Sequence, residues 1–180
     1  MTEPIQIDGY SFQRYNRQAH SPVEGIYGID LIDPNISTDA LVNHCSRRNG
    51  RAYVCLDRHN MVMGYVAYTL TKQAYFIEYL SFVPDNPEAP DMLELILTFM
   101  NDVREHGTKP REIIMPVPED SVDLQCTLRD SKLARAVAVA TGYNGGVAYL
   151  FAVAASRDET PVGVPVKDRW GRSNSFTAGE

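Results

Sequence analysis

The sequence predicts an α/β (α+β) domain in which helices flank a central mixed sheet, and two stretches carry that expectation. Residues 52–56, 62–70 and 74–83 are rich in β-branched and aromatic side chains and are separated by the short polar turns Asp57-Arg58-His59-Asn60 and Thr71-Lys72-Gln73, so three hairpin-linked strands follow one another. Between Asp91 and His106, Met92, Ile96, Phe99 and Val103 recur at helical spacing beside Leu93, Leu97 and Met100, and Gly107 follows as a stop. One broad face of that helix is expected to be buried.

The remaining elements are read in chain order. Residues 5–15 alternate loosely and carry Tyr10, Phe12 and Tyr15, which predicts a first strand. Ser37-Thr38-Asp39 supplies N-cap chemistry for a helix over 38–48, with Gly50 as a left-handed cap at its end. Ile113, Ile114, Met115 and Val117 form an apolar run broken by Pro116 and Pro118. Proline costs no ladder hydrogen bond only at an edge or where a sheet splays, so this strand is expected to end in such a place. Residues 120–128 suggest a helical turn or two. Asp130-Ser131 then reads as a new N-cap for a helix over 132–140 that Gly142 ends, and Gly145-Gly146 opens a last strand over 147–155. The sheet should hold six or seven strands.

Composition sets the outer limits. The chain has 180 residues, 44% hydrophobic and 22% charged, which suits one globular core, taken as residues 1–156, with an appended tail at 157–180. No apolar run approaches the roughly 18 to 20 residues of a membrane span, and the first residues show neither a basic region nor an apolar stretch. The expectation is an intracellular, cytoplasmic protein, including the case of one carried within a virion. Its net charge of −6 opposes non-specific nucleic-acid binding. Cys45, Cys55 and Cys126 are widely spaced without a CxxC pair, and His20, His44, His59 and His106 are scattered, so neither a disulfide framework nor a metal site is expected. The basic cluster Arg47-Arg48-Asn49-Gly50-Arg51 reads as a solvated helix end.

Two local patterns add a resemblance. Ile77-Glu78-Tyr79-Leu80-Ser81-Phe82-Val83-Pro84 is similar to the fourth strand of the GNAT N-acyltransferases, an acid followed by alternating apolar residues and closed by proline. Ser131, Ala134, Val137, Gly142 and Tyr143 fall at the offsets of that family's late helix, Asn-x-x-Ala-x-x-Leu-Tyr-x-x-x-Gly-Phe. The resemblance covers about residues 50–155. It implies a sheet that splays open to admit acyl-CoA and transfer of an acetyl or other acyl group to an amine. It also implies Glu78 as general base, Tyr143 or Tyr149 as replacement acid, and the strand edge at Leu80 and Phe82 as the holder of pantetheine.

By the two-residue period Glu78 would share an apolar face with Leu80 and Phe82, where desolvation raises the pKa of the carboxyl and makes its carboxylate a better proton acceptor. A hydrogen-bonded strand glutamate with no catalytic role is the equal alternative. The family grips the CoA pyrophosphate with a basic, glycine-rich loop; here the stretch is Pro84-Asp85-Asn86-Pro87-Glu88-Ala89-Pro90-Asp91-Met92, with no glycine and no cation. Val137-Ala138 stands where the family's acidic tyrosine would be. The expectation is therefore a degenerate member with little or no activity and no cofactor, acetyl-CoA being the cofactor if it is active. The other reading is a non-catalytic module of a larger assembly such as a viral particle, or an inhibitor of a host protein. The tail, 157–180, lacks apolar periodicity but holds Arg169, Trp170 and Arg172, residue types that anchor interfaces, so it is expected to dock a protein partner or a second copy, or else to pack on its own domain.

Overall fold

The computed structural model describes residues 3–16, 38–82, 91–143, 146–155, 166–167 and 173–174. The elements, in chain order, are β1 (Ile5–Ile7), β2 (Tyr10–Arg14), α1 (Thr38–Ser46), β3 (Gly50–Leu56), β4 (Val62–Leu70) and β5 (Ala74–Phe82). There follow α2 (Met92–Glu105), β6 (Glu112–Pro118), α3 (Val122–Asp130), β7 (Ala134–Tyr143), β8 (Gly146–Val153), β9 (Val166–Lys167) and β10 (Ser173–Asn174). Strands β1 to β8 form one sheet in the order β1-β2-β3-β4-β5-β6-β8-β7. The first five run antiparallel, β5 and β6 are parallel, and β8 returns antiparallel between β6 and β7.

Three expectations are corrected. The single strand over 5–15 is a hairpin, because Asp8 and Gly9 both take positive φ, 49° and 83°, the conformation of a two-residue connection. Gly50 is not a left-handed cap but the first residue of β3; a Cβ there would overlap the His44 carbonyl oxygen, so glycine lets α1 and β3 meet closely. The helix expected over 132–140 is the strand β7, paired along β8, and the helix lies earlier, in α3.

The cause of that last change lies at Lys132. The Leu133 amide donates to the Leu128 carbonyl and the Lys132 amide to that of Arg129, both at 3.1 Å, while Lys132 takes φ 58°. This is a Schellman stop, with Leu133 and Leu128 both buried as its apolar pair, and it ends the helix before the alanine-rich run begins.

One face of the sheet packs on α2 and α3. Asp91 caps α2, which buries Met92, Leu93, Leu95, Ile96, Leu97, Phe99 and Met100. Phe99 stacks on Phe12 with ring centres 4.3 Å apart, and α3 adds Leu124 and Leu128 to the same core. Each such side chain contributes about 1.5–3 kcal/mol when withdrawn from water. On the opposite face Leu41 of α1 packs with Ala52, Val54, Leu56, Tyr65 and Ala67.

Candidate functional site

The sheet opens between β5 and β6, and the amide directions explain why. Glu112 donates its N–H to Gln73 O at 3.1 Å, so residues 112, 114, 116 and 118 present their amide positions to β5, while alternate residues face β8. The last β5–β6 pair is Phe76 with Ile114. The next position that would donate towards β5 is Pro116, which has no N–H, and Pro118 repeats the loss. Pairing with β8 continues undisturbed to Pro118. The prolines thus stop the ladder on one side of β6 only, as a splay requires.

Two residues beyond Phe76, β5 carries a bulge. Ala67 pairs with Tyr79 and Tyr68 with Ile77, leaving Glu78 as the extra residue. This changes which later residues share a face with Ile77. Ile77, Leu80 and Phe82 point into the core beneath α2, whereas Glu78 and Tyr79 both turn towards α1. The expectation that Glu78 shares a face with Leu80 and Phe82 is therefore wrong, since the extra residue breaks the two-residue period.

Glu78 is buried and densely engaged. Thr69 donates its hydroxyl to Oε2 at 2.7 Å, His44 Nδ1 lies 3.2 Å from the same oxygen, and Arg47 Nη1 lies 3.9 Å away at the surface. The other ring nitrogen of His44, Nε2, is 2.9 Å from the Tyr68 carbonyl. Tyr79 meets the imidazole edge-on at 5.9 Å. Sequence reasoning missed His44 in this role, because nothing along the chain links a helix-end histidine to a strand acid 34 positions away.

The other expected residues do not gather around Glu78. Tyr149 is half-buried on the α2 side of the sheet, on the face opposite Glu78, and pairs with Val117 and Val139. Tyr143 ends β7, where its backbone pairs with Gly146. Leu80 and Phe82 send their side chains into the core and pair with Val66 and Gly64. With α3 in its observed place, the late-helix pattern moves back by ten residues, onto Ser121, Leu124, Thr127, Leu128, Lys132 and Leu133. The tyrosine position then falls on Leu128, fully buried and without a proton to give.

At the start of α2, the Asp91 carboxylate accepts from the Leu93 amide at 3.0 Å and from the Glu94 amide at 3.2 Å. The acidic stretch Pro84–Pro90 and the interface candidates Arg169, Trp170 and Arg172 lie outside the described residues. Among the described residues no group of His, Cys, Asp or Glu is arranged to hold a metal ion, and no helix is long and apolar enough to cross a membrane.

A mixed sheet split by β6 prolines, with a bulged strand on one side of the opening and a capped helix following it, is the fold of the GNAT acetyltransferases, and this chain has that fold. Ribosomal-protein-S5-alanine acetyltransferase from Vibrio fischeri superposes with a TM-score of 0.60 at 11% identity, covering 89% of this chain and 100% of the other. A GCN5-related N-acetyltransferase from Brucella melitensis gives 0.61 at 12% identity, over 86% and 80% of the two chains. A GNAT family acetyltransferase from Elizabethkingia anophelis with acetyl-CoA bound gives 0.58 at 12%, over 82% and 99%. No protein-family model matches the sequence, and neither does any curated protein.

Proposed function

We propose that this chain is an acyltransferase-fold protein in which transfer of an acyl group from CoA to an amine is weak or lost, and which serves as a binding component. The observation that carries the reading is the start of α2. A helix N-terminus holds a phosphate by offering unsatisfied amides and the positive end of its dipole. Here two of those amides already bind Asp91, whose charge also repels a polyanion. Glu94 adds a second carboxylate in the first turn, and no Lys, Arg or His stands between Lys72 and Arg104. The residues present do not fit a CoA pyrophosphate, so no chemical step is assigned through it. The loss of a proton donor at Leu128 and the engagement of Glu78 support the same reading.

Calorimetric titration of the full chain with acetyl-CoA at ordinary salt should give little or no heat of binding. Sub-micromolar affinity would overturn the proposal, and acyl transfer by the wild type against Glu78→Gln would then be the measurement to make.

A second reading concerns where such a component docks. Residues 157–180 hold Arg169, Trp170 and Arg172, residue types that anchor interfaces, in a stretch without apolar periodicity. That arrangement favours the tail as the surface offered to a protein partner or a second copy, in an assembly such as a viral particle or as an inhibitor of a host protein.

A further inference from the structure

The hydrogen inventory around His44 is restrictive. A carbonyl only accepts, so the 2.9 Å contact with Tyr68 O requires the hydrogen on Nε2. Nδ1 then faces Glu78 Oε2 at 3.2 Å, with the two side chains only 2% and 6% exposed. The approach is oblique, an ion-pair contact rather than an aligned hydrogen bond. Two lone pairs at that distance in a buried site repel strongly, so one hydrogen belongs to the pair, formally on nitrogen or on oxygen. Thr69 supplies a second hydrogen to the same Oε2, and Arg47, 62% exposed, supplies outer positive charge. These contacts run from the end of α1, through His44 and the following Arg47, to β4, through Tyr68 and Thr69, and to the bulge of β5, through Glu78.

We propose that His44 and Glu78 form one proton-sharing latch that holds α1 against the β4–β5 bulge, with His44 as the positioning residue. The latch goes beyond the weakness of CoA binding and does not depend on it. The close meeting of α1 and β3 at Gly50 fixes the same helix end, since the backbone there abuts His44.

The test uses the full chain, labelled with nitrogen-15, and reads the His44 ring nitrogens together with amide exchange in α1. Glu78→Leu should shift the His44 signals and speed exchange of the α1 amides at least ~10-fold relative to α2, since a local contact is lost while the core stays. Glu78→Gln should restore the slow α1 exchange, because its amide supplies the hydrogen that Nδ1 needs while Nε2 stays on Tyr68, and should leave the ring as a neutral Nε2–H imidazole. In thermal melts His44→Phe should lower Tm by roughly 6–20 °C by stranding a buried carboxylate, and adding Glu78→Gln should recover part of the loss. If His44→Phe fails to fold, the Glu78 pair of variants decides alone. An unchanged ring spectrum or unchanged α1 exchange in Glu78→Leu would overturn the latch, whatever acetyl-CoA titration shows. So would equal melting of His44→Phe with and without Glu78→Gln.

Discussion

Cys55 and Tyr68 sit inside the sheet, where burial outweighs any charge that would stabilise an anion. Burial pushes the Cys55 thiol from its ordinary value near 9 up to about 12, with Asp57 adding to the rise, and burial pushes the Tyr68 phenol up further still, helped by Tyr53. Both groups are acids whose neutral form is favoured by folding. Below pH 9 each is neutral in the folded and unfolded chain, and the full stability is present. Above it the unfolded chain ionises first, so stability falls as pH rises from about 9 through about 12. Melting temperature followed across that range should drop steadily, and Cys55→Val should flatten part of the drop. A flat profile in the wild type would show that these groups ionise as easily in the fold as outside it.

At the scale of elements, the end of α3 decides both stability and how much could be read beforehand. Lys132 occupies the left-handed position of a Schellman stop, where glycine avoids a clash worth about 1–2 kcal/mol but costs about 0.5–1 kcal/mol in chain entropy. Lys132→Gly should therefore stabilise the protein by roughly 0.5–1 kcal/mol, raising Tm by about 1–4 °C; a lower Tm would mean that the lysine side chain makes a compensating contact. The same residue explains the misplaced helix. Without a glycine the stop is invisible along the sequence, and Ala134-Arg135-Ala136-Val137-Ala138 carries strong local helix propensity that only pairing with β8 overrides. The three central strands, α2 and the splay were legible because their signals are local: alternation between polar turns, apolar spacing, and two prolines in one strand. The bulge was not legible. Its extra residue is defined by the partner strand, and it carried Leu80 and Phe82 onto the α2 face while Glu78 stayed on the α1 face beside His44.

Across the whole molecule, the segment after Ser156 remains the part whose composition least resembles a domain. Residues 157–180 hold four basic and four acidic side chains, and β9 and β10 together involve only four residues of backbone pairing. So short a pair contributes little stability of its own, and the composition of the segment suits docking on a further surface. Trp170 is the only tryptophan in the chain, so its fluorescence reports that surface directly. If the surface belongs to a partner or a second copy, emission from the dilute, isolated chain should be that of a solvated indole, open to acrylamide, and should shift to the blue only on association. Trp170→Ala, or removal of residues 157–180, should then leave Tm within a degree or two while abolishing that association, as expected where an indole anchors an interface and few core contacts depend on it. Blue, quencher-resistant emission that persists on dilution, together with a large fall in Tm on truncation, would instead make the segment a clamp on its own sheet and remove it as a docking surface.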